Sequence, residues 1–430
     1  MVKQIHLSAF NHFSPAPHMP LSWIYPREKI THYWYEAEYW ESVVRTLERG
    51  RFDMLFFADS LHGGASDDQI RYAIQFPTHD PVSLISYLSG IAKTLGFAVT
   101  MSTTFYPPFF LARTLATLDH LTKGRIGWNI VSSHSSGEAR NFGMDELPAH
   151  DERYDRADEY MEACYALWNS WEDDAVVMDM EGKVFADPAK VHRVDFVGKW
   201  YKTQGPLTVI PSPRRRPFLF QAGQSERGKA FAARHAEGIF SAARGTKQMR
   251  AYCEDLATRR EALGRDPAEI PIFWAGQPIV AATEAEARDR YAEIRARIPL
   301  EASLAQMSMH WGIECSDYDI DLPVTDLEVP GTRGLFEIYQ ESDPKITLRD
   351  IAKSYLSGSD KNPLIGTPDQ VADAMQYLLE EGGGDGFQIS PPYYAPDYYA
   401  DLVDQLIPVL QKRGIYREDY NGSTLREHLA

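Results

Sequence analysis

Cysteine is scarce in this sequence, with three residues in a chain of 430. Cys164, Cys253 and Cys315 lie far apart and form neither a CxxC pair nor a zinc-ligand spacing. Secreted disulfide frameworks use cysteine densely and in even numbers. The scarcity therefore predicts a reduced protein in the cytoplasm. The histidines are scattered as well, so the sequence predicts no metal site.

Long apolar runs and an excess of basic residues are also missing. No stretch of about 18 consecutive apolar residues occurs, which is the length that a membrane-spanning helix needs. The 44 Lys and Arg residues stand against 61 Asp and Glu residues, which gives a formal charge of -17. Because nucleic acids and anionic lipids select basic surfaces, we expect neither a nucleic-acid nor a membrane partner.

Four motifs of common protein classes are absent too. The chain contains no GxGxxG, no GxxxxGK[ST], no GxSxG and no HExxH. These motifs mark dinucleotide-binding folds, P-loops, α/β-hydrolases and zinc peptidases, respectively. The sequence therefore gives no support to these four classes.

What the sequence does contain is a regular alternation of short apolar runs with amphipathic helical stretches. Runs of this length, bounded by turn residues, are typical of buried parallel strands. About eight strands that alternate with helices favour an α/β fold of the (β/α)8 TIM-barrel type. An open doubly wound sheet stays an alternative, since counting strands does not show closure. The predicted strands are Ile5–Phe10, Met54–Ala58, Gly96–Thr100, Arg125–Val131, Phe218–Ala222, Gly238–Ser241, Ile272–Ala275 and Gly386–Ile389.

Several helices between these strands have recognisable starts. Thr283 with Glu286, and Thr367 with Gln370, have the spacing of capping boxes. After Asp151, apolar residues recur at intervals of three and four and predict one buried helix face. These residues are Tyr154, Ala157, Met161, Cys164 and Trp168.

Two segments break the alternation. Residues 173–217 are rich in Pro, Asp, Lys and aromatic residues, and residues 299–363 contain VPGTRG and a short helix pattern after Thr347. Long segments without regular structure in a compact chain are usually functional lids or insertions. We therefore predict a single domain, residues 1–430, with two large insertions that form active-site lids.

Polar residues end several predicted strands, which is where a TIM barrel carries its active site. Asp59 follows LFFA, Thr104 follows AVTMST, and Asn129 lies in RIGWNIV. These mostly neutral groups suit an uncharged planar heterocycle better than hydrolytic acid–base chemistry. The alternative is ordinary turn and capping polarity, since Asp, Asn, Ser and Thr are common in turns.

The segment QAGQSERGKAF is the sharpest local signal. A strand ends at Ala222, and Ser225 can cap a following helix whose free N–H groups and positive dipole end suit a phosphate. His150 and Tyr154, near the start of another predicted helix, would add hydrogen-bonding groups. The alternatives are a plain Ser-capped helix and a Tyr154 that only belongs to the buried stripe.

His310 lies among Met307, Met309 and Trp311 in the second insertion. A histidine in an apolar and aromatic stretch is more often a hydrogen-bonded buried residue than a catalyst. Both interpretations of His310 stay open at this point.

Seven blocks of the sequence match a known group of enzymes. They are RTLERGRFDMLFFAD, STTFYPPFFLARTLATLDHLTKGRIGWNIVSS, EARNFGMDELPAHDERYDRADEYMEACYALWNSW, VFADPAKVHRVDFVGKW, QAGQSERG, DGFQIS and YREDYNGSTLREHLA. Through these blocks the chain resembles, nearly end to end, the bacterial-luciferase-like FMN-dependent monooxygenases of the nitrilotriacetate, EDTA and dibenzothiophene-sulfone group. The resemblance implies a TIM barrel that holds FMN at the C-terminal ends of its strands.

The resemblance also implies roles for individual residues. The side chains that would line the isoalloxazine ring are Asp59, Thr104 and Asn129. The groups that would hold the ribityl chain and the phosphate are His150, Tyr154, Ser225 and the backbone of Gln224. His310 matches a histidine that projects into the pocket, and it is therefore the candidate catalytic residue.

The resemblance further implies a two-component reaction. A separate NAD(P)H:flavin reductase would supply FMNH2, and this chain would use it with O2 to cleave a C–S or C–N bond in a small organic compound. The chain would form a homodimer or a homotetramer. The alternatives are a deazaflavin-dependent dehydrogenase on the same barrel, a non-catalytic flavin-binding protein and a barrel hydrolase with paired carboxylates.

Overall fold

Eight parallel strands close into a barrel in the order in which they occur along the chain. The computed structural model describes residues 4–16, 21–24, 29–62, 66–133, 135–243, 245–327, 339, 343, 345–355 and 362–430. The strands are β1 (His6–His12), β2 (Met54–Ala58), β3 (Gly96–Ser102), β4 (Ile126–Val131), β5 (Phe218–Gln221), β6 (Gly238–Ser241), β7 (Ile272–Gly276) and β8 (Gly386–Ile389). The predicted TIM barrel is confirmed with all eight strands, and closure excludes the open sheet.

Helices alternate with the strands along the chain. They are α1 (Ala37–Arg49), α2 (Asp67–Tyr72), α3 (Pro81–Leu88), α4 (Pro108–Thr122), α5 (Ser136–Asn141), α6 (His150–Trp168), α7 (Glu226–His235), α8 (Thr246–Ala262), α9 (Glu284–Ala296), α10 (Leu300–Trp311), α11 (Leu348–Tyr355), α12 (Pro368–Gly382), α13 (Ala395–Asp401), α14 (Ile407–Lys412) and α15 (Leu425–His428). No helix in the described part of the chain is long and apolar enough to cross a membrane.

The helix starts follow the sequence signals with one exception. Thr367 and Gln370 form a complete capping box at α12, as predicted. At α9, the Thr283 hydroxyl accepts from the Glu286 N–H, but the reciprocal half of the predicted box is missing among the described hydrogen bonds. Instead, the Glu286 carboxylate lies 3.8 Å from Arg290, one turn further along the helix. The predicted apolar stripe of α6 is buried, as expected.

Side chains fill the inside of the barrel, so the barrel is a packed core rather than a pore. Phenylalanines from five strands meet there, together with Leu425 at the start of α15 and Leu429 just after that helix. The interior residues are Phe10, Met54, Phe56, Ala98, Phe218, Phe220, Phe240, Phe273, Leu425 and Leu429. The C-terminal segment thus closes the N-terminal end of the barrel, which we call the base.

A buried ion pair fastens the C-terminal segment to the base. The Arg417 guanidinium donates to Asp53 Oδ1 at 2.6 Å and to the His428 carbonyl at 2.8 Å. His6 Nδ1 lies 3.0 Å from the same Asp53 oxygen, and the Leu7 N–H donates to the other oxygen at 2.7 Å. Burial alone would raise the pKa of Asp53, but the charges of Arg417 and His6 outweigh it and lower that pKa.

The two predicted insertions differ in regularity. The first contains two short antiparallel pairs, Val176–Asp179 with Val184–Ala186 and Phe196–Val197 with Lys202–Thr203. The second begins with the helix α10, although we expected little regular structure there. The helix forms because its sequence, LEASLAQMSMHW, is rich in strong helix formers. The predicted helix after Thr347 is present as α11. The VPGTRG segment lies outside the described residues.

Candidate active site

Polar side chains gather at the C-terminal ends of β2, β3 and β4, which we call the mouth of the barrel. Trp128 and Ile130 pack into the outer core, so Asn129 between them faces the inside. Asn129 Nδ2 donates to Thr100 Oγ1 at 3.0 Å, whereas Asn129 Oδ1 is buried and has no hydrogen-bond partner among the described residues. The Thr104 hydroxyl donates to the Ser132 carbonyl at 2.8 Å. A buried oxygen without a donor is costly, and a ligand N–H at the mouth would satisfy it.

Asp59 directly follows β2 and carries a strongly shifted carboxyl group. Burial raises the pKa of Asp59 to about 7, and the nearby charges of Asp80 and Glu138 add to the effect. Glu138 itself accepts hydrogen bonds from the Leu61 N–H at 3.1 Å and from the Ser60 hydroxyl at 3.4 Å. At neutral pH, Asp59 therefore populates both a protonated form that donates and an ionised form that accepts.

Several polar groups gather at the start of α7, next to the mouth, and we call this candidate phosphate site the α7 anion site. Ser225 Oγ accepts from the Gly228 N–H at 3.1 Å, which confirms the predicted cap, and lies 3.4 Å from His150 Nε2. A Cβ atom built on Gly223 or Gly228 would lie only 2.9 or 2.8 Å from Tyr154 Oη. A side chain at either position would displace the Tyr154 hydroxyl, so the two glycines let that hydroxyl lie close to the backbone at the helix start.

Gln224 lies in the same turn, with its side chain directed away from the helix start. Its Nε2 donates to Ser241 Oγ at 3.2 Å and to the Ala242 carbonyl at 3.0 Å. This ties the turn after β5 to the end of β6 and leaves the Gln224 backbone as the group next to the helix start. Because β4 and β5 are neighbours in the barrel, the Asp59–Thr104–Asn129 group and the α7 anion site occupy adjoining parts of the rim.

His310 lies in the last turn of α10, apart from the α7 site. Its Nδ1 lies 2.7 Å from Tyr355 Oη on α11, and its Nε2 lies 3.3 Å from Gln75 Nε2. With the Gln75 amide as donor, Nε2 accepts and Nδ1 carries the proton. His310 therefore connects the second insertion to the same β2–α3 segment that begins with Asp59.

Two residues near the mouth are functional candidates that the sequence patterns did not predict. Gln388 lies between Phe387 and Ile389, which pack outward, and its buried Nε2 has no hydrogen-bond partner in the described part of the chain. The signal was present, since a glutamine interrupts the apolar strand DGFQIS. Arg227, inside the QAGQSERG motif, lies over the ring of Tyr154 at 5.6 Å from its centroid. Nothing local in the sequence indicates that contact.

The donor set fits a flavin mononucleotide better than a metal. The rim offers a helix start with hydroxyl and imidazole groups for a phosphate. It also offers the Asn129 amide oxygen, which lacks a partner among the residues that the structure describes, for a ring N–H. Among the described residues, no group of three or more His, Cys, Asp or Glu side chains is placed to hold a metal ion.

Known proteins resemble the chain over its whole length. The family model described as luciferase-like monooxygenase matches residues 19–386. The long-chain alkane monooxygenase of Geobacillus thermodenitrificans (strain NG80-2) is 39% identical over 100% of this chain and 94% of that protein. The dibenzothiophene-sulfone monooxygenase of Rhodococcus erythropolis (strain XP) is 38% identical over 99% and 96%. Nitrilotriacetate monooxygenase component A of Aminobacter aminovorans is 34% identical over 95% and 92%.

Solved structures agree with these similarities. The crystal structure of riboflavin lyase with modified FMN and riboflavin superposes with a TM-score of 0.90 at 32% identity, covering 99% of this chain and 96% of that one. A deazaflavin (F420)-dependent secondary alcohol dehydrogenase has a TM-score of 0.59 at 14% identity, which reflects a shared fold alone.

Proposed function

This chain belongs to the luciferase-like monooxygenase family and is a flavin-dependent monooxygenase. We propose that it uses FMNH2 and O2 to oxygenate a small organic compound. The observation that carries the proposal is the α7 anion site beside a polar barrel mouth. FMN needs both features, because its phosphate is a dianion and its ring system carries an imide group with one N–H donor and two carbonyl acceptors. Riboflavin, which has no phosphate, would leave the helix start unused.

Individual residues of the rim would hold the two halves of the cofactor. Ser225, His150, Tyr154 and the Gln224 backbone would bind the phosphate and the ribityl chain. The groups that would contact the isoalloxazine ring are Asp59, Thr104 and Asn129. When bound, the reduced flavin supplies the electrons with which one atom of O2 enters the substrate and the other becomes water.

In this scheme, the residues of the chain bind the flavin, orient the substrate and exclude water from the site. Because the pKa of Asp59 is about 7, part of the Asp59 population carries a proton at neutral pH and can donate a hydrogen bond at the mouth. His310 positions the second insertion through Tyr355 and Gln75 and would orient the substrate. The two insertions would act as lids, since stray water diverts reduced flavin and O2 towards hydrogen peroxide.

We further propose that a separate NAD(P)H:flavin reductase supplies FMNH2. The absence of a dinucleotide fingerprint from the sequence supports this, as does the similarity to a protein named as component A of its enzyme. A cytoplasmic location and a homodimer or homotetramer stay predictions from the sequence.

The substrate that we propose is a small compound with a C–S or C–N bond, which the reaction cleaves. Relatives named for dibenzothiophene sulfone and nitrilotriacetate support these two bond types. The relative named for long-chain alkanes favours hydroxylation of a C–H bond as a second candidate.

Oxygen uptake with a purified reductase tests the proposal. The chain is mixed with NADH, FMN, the reductase and one compound from a panel of an aryl sulfone, a dialkyl sulfide, an aminocarboxylate and a long-chain alkane. We expect an oxygenated product from at least one compound, and only when chain, reductase and FMN are all present. Efficient NADH oxidation by the chain alone, or turnover of an alcohol with a deazaflavin and without O2, would contradict the proposal.

A further inference from the structure

Arg227, in the first turn of α7, touches three groups of α6 at once. Its Nη2 donates to Asp158 Oδ2 at 2.5 Å and to Asp155 Oδ1 at 3.0 Å. Its guanidinium carbon lies 5.6 Å from the centre of the Tyr154 ring, in the geometry of a cation–π contact. The Arg227 guanidinium therefore links the start of α7 to Tyr154 on α6, whose hydroxyl lies in the α7 anion site.

Asp158 is fixed from its other side as well. His235, at the end of α7, places Nε2 2.8 Å from Asp158 Oδ1 and Nδ1 3.1 Å from Tyr165 Oη. Burial alone would raise the pKa of Asp158, but His235 and Arg227 together lower it. Asp158 is therefore ionised at neutral pH, and both ends of α7 are attached to the same carboxylate on α6.

The anion site lies next to an unusual amount of negative charge. The first three turns of α6 carry five acidic side chains, Asp151, Glu152, Asp155, Asp158 and Glu159. Glu159 accepts hydrogen bonds from three backbone N–H groups of residues 199–201. A phosphate dianion at Ser225 would be repelled by ionised carboxylates within a Debye length of about 10 Å. His150 already contacts Asp151 at 2.7 Å, and Arg156 contacts Glu152 at 2.8 Å. Arg227 is the cation that Asp155 and Asp158 share.

We propose that Arg227 is the positioning residue of the anion site and makes it selective for a mononucleotide phosphate. It holds the Tyr154 hydroxyl against Gly223 and Gly228, and it neutralises Asp155 and Asp158, which would otherwise repel the phosphate. The inference rests on the proposed function, because it takes FMN as the ligand. Arg227 acts through Tyr154 and the two carboxylates rather than by touching the phosphate.

Titration of the Arg227→Met variant with FMN and with riboflavin tests this role. Riboflavin has the same ring and ribityl chain but no phosphate, so it reports on everything except the anion site. We expect the Kd for FMN to rise at least tenfold, while the Kd for riboflavin changes less than twofold. Flavin fluorescence quenching gives both constants without any catalytic turnover.

Lys229→Met is the matched control, since Lys229 also pairs α7 with a neighbouring helix. It contacts Glu226 and, on α8, Asp255, away from Tyr154. We expect this variant to keep the FMN affinity of the parent within twofold. Adding Asp158→Asn to Arg227→Met removes one of the exposed negative charges and should recover at least threefold of the lost FMN affinity. Arg227→Lys, which keeps the charge, should lose less affinity than Arg227→Met.

The outcomes separate this inference from the proposed function. A parent chain that binds FMN no better than riboflavin would contradict the phosphate site, and the inference would fall with it. A parent preference for FMN that persists in Arg227→Met would overturn the inference alone. Equal losses of FMN and riboflavin affinity, accompanied by a lower Tm, would likewise reduce Arg227 to a structural ion pair.

Discussion

Strand β2 carries an aspartate at each end, and the two have opposite environments. Asp53, before the strand, is fully buried at the base, where Arg417, His6 and the Leu7 N–H contact its carboxylate. Asp59, after the strand, lies at the mouth with acidic neighbours. The pKa of Asp53 is lowered because the attraction of its cationic partners exceeds the effect of burial, whereas burial raises the pKa of Asp59 to about 7.

The difference shows that the two ends of the barrel have different roles, since the base contributes to stability and the mouth provides groups for ligand binding. At the base, charge is paired and the C-terminal segment seals the core, so this end contributes to stability. At the mouth, Asp59 is held in an unfavourable electrostatic environment, and no described residue makes a hydrogen bond to Asn129 Oδ1. Such groups are costly to the isolated fold and become useful when a ligand binds.

The largest effect is expected at the base. Arg417→Leu leaves the Asp53 carboxylate buried without its main cation, so the free energy of unfolding should fall by about 3–5 kcal/mol. Arg413→Leu is the control, because Arg413 pairs with the exposed carboxylates of Asp369 and Asp373. This substitution should lower the free energy of unfolding by less than about 1 kcal/mol. Urea denaturation measures both. A loss below about 1 kcal/mol for Arg417→Leu would remove the contrast between the two ends.

At the mouth side, His310→Ala should affect turnover rather than stability. We expect about a hundredfold loss of reductase-coupled substrate oxidation, with more hydrogen peroxide per NADH, because the second insertion and the substrate lose their positioning. FMN affinity should stay close to that of the parent. Tyr355→Phe, which removes only the hydroxyl partner of Nδ1, should have a smaller effect in the same direction. Unchanged coupling with a lower Tm would make His310 a packing residue.

The two aspartates of β2 should also give opposite pH dependences. Asp59 has a pKa of about 7 in the folded chain against an ordinary value of 3.8, so the folded state holds its proton in that window. The free energy of unfolding should therefore fall as pH rises from about 4 to 7, by at most about 1.4 kcal/mol per pH unit. Asp53, with its lowered pKa, loses its contribution as the pH falls instead.

Asp59→Asn isolates the mouth contribution. The difference in unfolding free energy between this variant and the parent should grow from pH 4 to 7 in favour of the variant and then level off. Denaturant titrations at several pH values measure this difference. If the unfolding free energies of the parent and the variant changed in parallel with pH, Asp59 would not have a raised pKa.

Local patterns predicted the elements of this fold, and they did so for physical reasons. Apolar runs and turn residues determine each strand, and Ser225 caps its helix through a hydrogen bond three residues away. The contacts that distinguish base from mouth are long-range. Arg417 meets Asp53 across 364 positions, and Arg227 meets Asp158 across 69. Periodicity carries no information about such pairs. The roles of the predicted site residues therefore stay predictions until they are measured.

One equilibrium titration tests the central claim, which is that the mouth and the α7 anion site together bind FMN. We predict that the parent chain binds FMN at least tenfold more tightly than riboflavin, a difference of roughly 1.4 kcal/mol or more. Ser225→Ala should shrink this difference, whereas Thr367→Ala, which removes the cap of α12, should leave it unchanged. Equal affinities of the parent chain for FMN and riboflavin would contradict the account.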